Sequence, residues 1–474
     1  MITAGIGFAT WLQCRGGRTH TDNENKDYFL AGGALNWVFI AGSITLTNLS
    51  TDQLVGMNGD QLLLIAWWEF AAVAGLFILA FVFLPLYYKY DCTTTTELLE
   101  RKIGGKALRA VISCLFLLGG LFIYLPIMLY TGSLFLISML DLSVPLIVVA
   151  AGFAVVGSAY AIFGGLRAVA VSDTYSGIGL IGMSLAVVFL AARAIDFDFS
   201  GIPAERLTLI GANGSAIPWH TLFTGMIFIQ IFYWSFNQTI TQRAMAAPSI
   251  GEAQRGVIAA ASIRLLIVPM IIAVPGVISF KLYGDIGDAA YGRLVGDVLP
   301  AWMSGAFAAM MAAAVLTSFN SALNSAAALY VCDIHERFFA PNVHVRKIAT
   351  IMTLIFVSLA VGLVPLYSGA DSIIALVQQL NGLLSMPILS AFILAIFFRD
   401  ISPIAVVSVV IGGSVFYGIV GFYFWPHHYI HLMLIVLVVC VLAGALLSRL
   451  ISGKTPRLSF ADFSDSSRPE GTGN

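Results

Sequence analysis

Polar side chains crowd one stretch of an otherwise apolar chain: Thr45, Thr47, Asn48, Ser50, Thr51, Asp52, Gln53 and Asn58. They do not keep to one helical face, so the segment reads as a helix broken at membrane depth. Backbone that leaves the helix there must be buried in protein or line a wet cavity, because an unbonded amide in hydrocarbon costs several kcal/mol. Freed carbonyls at such a break can hold a cation, while the half-helix ends meet a solute; the alternative is polar glue between packed helices. A second feature is the run Thr317, Ser318, Ser321, Asn324 and Ser325. Its three- and four-residue spacing places most of it on one face of a helix, and hydroxyl oxygens are hard ligands for hard cations. Glu69 and Arg264 each lie deep within an apolar run. Ionisable groups at that depth face the bundle interior and mark a pathway, since lipid exposure costs at least ~2.5 kcal/mol. They either pair with one another or line a site, or do both.

Further polar residues at depth are Asp173, Gln230, Tyr233, Asn237, Gln238, Gln378, Gln379 and Asn381. Asp173 follows Ser172 at the start of a span, where it also reads as an N-cap. Tyr233, between Gln230 and Asn237, suits stacking on a sugar ring; as a bland alternative, Tyr233 and Trp234 are interfacial anchors. His427, His428 and His431 have zinc-like spacing without Cys or carboxylate support. No nucleophile–base pair, phosphate loop or zinc-protease motif is present, and the chain is not expected to be an enzyme.

These residues need helices to carry them. The chain is 59% hydrophobic and only 10% charged, with a mean hydropathy of +0.91, which excludes a soluble fold. Apolar runs of the ~20 residues that cross a bilayer as helix fall near 34–57, 62–88, 107–139, 143–163, 170–195, 218–241, 256–281, 300–332, 348–366, 372–398, 403–425 and 429–449, with a short stub at 2–13. The stub reads as a truncated first helix. If Asp27–Phe29 is cytoplasmic, the loops on that side carry most of the 24 basic residues. They are Arg15, Arg18, Lys26, Lys89, Arg101, Lys102, Lys106, Arg109, Arg167, Arg243, Arg255, Arg337, Arg346, Lys347, Arg399, Arg449, Lys454, Arg457 and Arg468. The positive-inside rule then sets the orientation, with the 15–33 loop and the C-terminal tail cytoplasmic in a multi-pass cell-membrane protein. The five cysteines, Cys14, Cys92, Cys114, Cys332 and Cys440, are an odd set and read as packing residues rather than a disulfide framework. Beyond Gly453 the Ser, Pro, Asp and Gly of the tail are expected to stay disordered. The net charge of −1 gives no reason to expect nucleic acid as a partner.

The segments DYFLAG (27–32), TNLSTDQLVGM (47–57), FGGLRAVAVSD (163–173), YWSFNQTITQRAMAA (233–247) and AAAVLTSFNSALNS (312–325) resemble the solute:sodium symporter family. The likeness is nearest to its sodium/glucose and sodium/galactose cotransporter branch and runs in order from about residue 27 to 400. The resemblance implies an all-α, leucine-transporter-like fold of two inverted five-helix repeats with peripheral helices. The divisions would be 1–33 (stub and loop), 34–195 (first repeat), 196–217 (external loop), 218–399 (second repeat), 400–452 (two peripheral helices) and 453–474 (tail). It implies Na⁺ held by the carbonyls of Leu46, Leu49 and Ala314 and the hydroxyls of Thr317 and Ser318, with Asp173 near the ion's exit. It also implies a sugar bound by Gln53, Glu69, Gln230, Arg264 and Gln378, with Asn48 nearby and Tyr233 stacked beneath the ring. Arg264 stands where Lys is expected, Gln230 where Asn is, and Ala72 where a sugar-contacting Ser is. Because Arg suits a carboxylate better than a single hydroxyl, a sugar acid, polyol or other organic anion is an alternative to a monosaccharide; a membrane sensor or sodium leak channel is a further one.

Overall fold

The structure, a computed structural model, describes residues 29–339, 344–368 and 373–460, with backbone alone at 160 and 163–169. The stub at 2–13 and most of the loop that follows it lie outside the described residues. What is described is almost wholly helical. Its elements are α1 (Trp37–Asn48), α2 (Leu63–Lys89), α3 (Thr95–Ile103), α4 (Lys106–Leu140), α5 (Leu146–Ala194), α6 (Met226–Phe236), α7 (Gln238–Met245), α8 (Ile250–Tyr283), α9 (Ala290–Val298), α10 (Ala301–Phe338), α11 (Val345–Tyr367), α12 (Ile373–Phe397), α13 (Pro403–Phe424) and α14 (Tyr429–Ser452). Among the described residues nine helices are long and apolar enough to cross a membrane, and α1 is an apolar helix too short to cross alone. The helix positions follow the expected runs closely. One difference is that the runs near 143–163 and 170–195 join in the single 49-residue helix α5; no Pro falls between them to stop it.

The first span breaks where the polar residues cluster. Asn36 caps α1 by accepting from the backbone N–H groups of Val38 and Phe39, both at 3.1 Å. The helix ends at Asn48, Leu49 takes a non-helical ψ of 69°, and the chain resumes as a wider helical turn over Asp52–Met57. The freed polar groups are satisfied internally. Asn58 donates to the carbonyls of Leu54 (2.8 Å) and Ile271 (3.2 Å) and accepts from the Gly276 N–H at 2.7 Å. A Cβ at Gly276 would collide with the Asn58 backbone, so only glycine lets α8 come this close. A second break, not expected, separates α6 from α7 at Asn237 (φ −65°, ψ 117°), whose side chain caps α7 through the Thr239 N–H at 3.0 Å.

The bundle packs α1 against α5 and α8, α10 against α5, and α6 against α2. At Gly75 of α2 a Cβ would stand 2.5 Å from the Gln230 carbonyl, so this glycine brings α6 into close contact. Of the tail expected to be without structure, 461–474 lies outside the described residues, and in the part described Arg457–Leu458 pairs antiparallel with Phe398–Arg399. Phe460 rests 5.9 Å from the Phe397 ring, giving the segment an apolar hold that its composition conceals.

Two basic residues counted as loop cations are buried instead. Arg243 is 0% exposed and Arg109 only 3%. Arg109 of α4 pairs with Asp333 of α10 at 2.6 Å and with Glu100 of α3 at 2.8 Å, tying three elements together. Thr94 donates to Asp333 at 2.9 Å, and the Thr96 and Ser113 hydroxyls saturate its other oxygen. Removing one member of such a pair strands a buried charge at about 3–5 kcal/mol, whereas an apolar pair of similar volume is close to neutral. Asp333→Ala is therefore expected to lower the thermal denaturation midpoint of the detergent-solubilised protein clearly, and Arg109→Leu/Asp333→Leu to recover most of the loss. A double variant no more stable than Asp333→Ala would refute this account.

Asp288, in the turn between α8 and α9, accepts from the Ile373 N–H at 3.2 Å and so links that turn to the start of α12. Burial pushes its carboxyl up to about 7, against the pull of that hydrogen bond and with the push of nearby Asp60. The folded protein thus holds a proton there that the unfolded chain releases near pH 4, and stability falls as pH rises from about 4 to about 7. Asp288→Asn keeps an acceptor for Ile373 without the charge. Its denaturation midpoint is expected to exceed wild type at pH 8 and to approach it near pH 4; a constant difference across that range would contradict the assignment.

Candidate functional site

An open cavity of about 610 Å³, its mouth included, lies between the first break, α2, α4, α6 and α12. Its walls include Asn48, Asp52, Gln53, Glu69, Gln230, Tyr233 and Gln378, with Met57, Trp68, Tyr124, Phe232, Ile374 and Asn381. Six of the seven sequence-derived solute residues therefore meet here, and Arg264 stands behind them, 0% exposed. Its guanidinium pairs with Glu69 at 2.7 Å, reaches Gln53 Oε1 at 3.2 Å and donates to Asn48 Oδ1. Gln53 in turn donates to Glu69 at 2.7 Å, and Asn48 donates to the Tyr233 hydroxyl at 2.7 Å. The Arg264 plane lies 4.6 Å over Trp234. One nitrogen, Arg264 Nη2, thus faces both halves of the broken span and α2, while Nε and Nη1 are buried without a hydrogen-bond partner; Glu69 and Arg264 do pair with one another, as the simpler sequence reading allows.

Not every cavity residue is free to meet a solute. Gln230 donates to the Trp68 carbonyl at 3.0 Å and accepts from the Trp234 indole at 2.9 Å, so both ends of its amide are engaged. Tyr124 donates to Asn381 at 2.7 Å. The sequence carries no signal for Trp68 or Tyr124, marks Asn381 only as polar at depth, and shows Asp52 only as part of the break. Tyr124 closes a wide helical turn that starts at Gly120, and such bulges mark functional sites. A second cavity of about 770 Å³ continues past Asn237–Thr239 and shares Tyr124, Phe232, Tyr233 and Asn381 with the first. Those four side chains are the partition between the two.

Next to the break, α1 meets the hydroxyl face of α10. Ser318 Oγ lies 3.5 Å from the Leu46 carbonyl, and Thr317 donates to the Ala314 carbonyl at 3.1 Å. Leu46, Leu49, Ala314 and Ser318 are fully buried and Thr317 nearly so. The carbonyls of an opened helix and two hydroxyls are a hard, all-oxygen set suited to a small cation. Asp173 lies beside it, well inside α5 rather than at a helix start, which excludes the N-cap reading. It accepts from Ser43 at 2.5 Å and Thr47 at 3.4 Å, and Arg243 stands 3.6 Å away. Arg243 also donates to Ser43 at 2.7 Å and to Ser321, so α1, α5, α7 and α10 are joined at this point.

The remaining candidates carry other roles. His428 caps α14 by accepting from the Ile430 N–H at 3.4 Å, while its other ring nitrogen contacts the Ala216 carbonyl at 3.0 Å. His431 stacks on His220. Among the described residues no three His, Cys, Asp or Glu side chains group to hold a metal ion. Cys92, Cys114, Cys332 and Cys440 are free.

Comparison with known proteins agrees with this architecture. A Na⁺-coupled sialic acid symporter in a substrate-bound, outward-open state superposes with a TM-score of 0.81 at 20% identity, covering 97% of this chain and 98% of that one. The nucleobase-cation-symport-1 transporter Mhp1 does so at 0.58 and 15%, over 91% and 95%. At such identities the likeness establishes the fold, which is that of the leucine-transporter-like membrane proteins. In sequence, the symporter YidK of Escherichia coli (strain K12), described as uncharacterized, is 35% identical over 427 residues, covering 84% of this chain and 74% of its own. The sodium/glucose cotransporter of Vibrio parahaemolyticus is 28% identical over 435 residues, covering 83% and 78%. Sodium/myo-inositol cotransporter 2 of Oryctolagus cuniculus is 28% identical over 422 residues, 79% of this chain but 62% of that longer protein. The model of the sodium:solute symporter family matches residues 28–413, and the chain belongs to that family: it is a multi-pass, sodium-coupled solute symporter and not an enzyme.

Proposed function

We propose that this symporter imports a small polyhydroxy solute, a monosaccharide in the first instance, together with Na⁺ by alternating access, with the 15–33 loop on the cytoplasmic side. The observation that carries this reading is the bonded chain Glu69–Gln53–Arg264–Asn48–Tyr233 along one cavity wall. Amide and carboxylate groups suit hydroxyls that both donate and accept, and the Tyr233 and Trp68 rings cover an apolar ring face. The names of the glucose and myo-inositol relatives point to the same solute class. An anionic sugar has less support, because Arg264 does not line the cavity and its charge is paired with Glu69.

In this reading Na⁺ binds the carbonyls of Leu46, Leu49 and Ala314 and the hydroxyls of Thr317 and Ser318, with Asp173 near its way out. Holding Leu46 against α10 fixes the first half of the broken span, and with it Asn48 and the solute wall. Ion and solute then bias one conformational equilibrium, and each raises the affinity for the other by the same factor.

Purified protein in vesicles, given labelled glucose, galactose or myo-inositol, is expected to take up at least one of them about tenfold faster under an inward Na⁺ gradient than under K⁺. Equal uptake in the two salts would end the coupling claim. Thr317→Ala/Ser318→Ala is expected to raise the half-saturating Na⁺ concentration about tenfold or more while solute affinity at saturating Na⁺ changes little.

A further inference from the structure

Three ionisable side chains belong to the solute cavity, and two of them cancel. Glu69 and Arg264 are 1% and 0% exposed and form a 2.7 Å ion pair; Glu69 touches the cavity and Arg264 does not line it. The third, Asp52, lines the cavity and is half-buried, the most open of the three. Its carboxylate accepts from the Ser50 hydroxyl, and no Lys, Arg or His among the described residues forms an ion pair with it. The same cavity is lined by the neutral Gln378, Asn381 and Tyr124 and the apolar Ile374 and Val377.

We infer that Asp52 is the charge filter of this transporter. The inference rests on the reading of the cavity as the solute site. An ionised carboxylate offers only acceptors, so the solute must bring hydroxyl or ammonium donors to it. Beside a carboxylate set in low-dielectric protein a like charge at contact distance is repelled and an opposite one attracted. The transported class is therefore neutral polyols and amino sugars, with sugar acids refused.

The test uses the full chain in detergent at saturating NaCl and a matched set of D-glucose, D-glucosamine and D-glucuronate, read by ligand-induced thermal shift. Wild type is expected to bind glucosamine at least as well as glucose and to refuse glucuronate by about 100-fold or more. In Asp52→Asn the glucosamine-to-glucose ratio is expected to fall about tenfold and the glucuronate penalty to shrink, whereas Asp52→Glu retains both preferences. A second readout needs no solute: at Asn381→Cys, the ratio of modification rates by cationic and anionic methanethiosulfonates, corrected for the parent protein, is expected to fall about tenfold when Asp52→Asn is added. If no hexose binds but this ratio falls, the sugar reading fails and the charge filter stands. If hexoses bind and neither ratio moves in Asp52→Asn, the filter is wrong and the sugar reading stands.

Discussion

A charge in the middle of a bilayer must find its partner inside the protein, and the placement of Arg264 follows from that constraint. Its guanidinium cannot shed its proton, so it is held wherever carboxylate and amide oxygens converge on it. Those oxygens come from Asn48 before the helix break, Gln53 after it, and Glu69 of α2. The break is therefore a geometry fixed from behind by a cation, and the cavity wall is the other side of that fixture.

A second buried cation repeats the arrangement beside the hydroxyl face of α10. Arg243 joins Asp173, Ser43 and Ser321, which sit on three different helices. Both arginines stand at a discontinuity in the chain: Arg264 reaches residues on both sides of the break at Leu49, and Arg243 lies in the short α7 that follows Asn237. Discontinuous helices leave backbone groups and side chains that need partners, and multivalent guanidinium groups satisfy several at once. Helices tied this way are expected to move as units, with any rearrangement concentrated at the breaks rather than along the helices.

How far the sequence shows this depends on the kind of signal. Span positions were legible because apolar length is set by bilayer thickness. The break at Leu49 was legible because polar side chains crowd it on all faces. The break at Asn237 was not, since Asn-Gln-Thr there offers no Gly or Pro and reads as an ordinary polar helix face. Charge counting misplaced Arg109 and Arg243, because the positive-inside rule sees composition and not partners: Asp333 lies 224 residues from Arg109, and Asp173 lies on another helix. Asp52 was legible as a polar residue but not as the open carboxylate of the cavity, because that distinction depends on Glu69 being spent on Arg264, a contact between residues 195 apart.

In the proposed mechanism, the position of α1 allows an ion and a solute to be coupled without touching. Its last turn presents the Leu46 carbonyl to Ser318 on one side and Asn48 to Arg264 and Tyr233 on the other, two residues apart. A cation that draws Leu46 toward α10 restrains the same turn that positions Asn48, and Asn48 positions the Tyr233 hydroxyl at the partition between the two cavities. Because one short helical turn carries both sets of contacts, the free energy of ordering it is shared: whichever partner arrives first bears the cost, and the second binds to a turn already in place. Because α1 ends at Asn48, that turn is held by side-chain bonds to Arg264 and Tyr233 rather than by a continuing helix, which leaves its position open to both ligands.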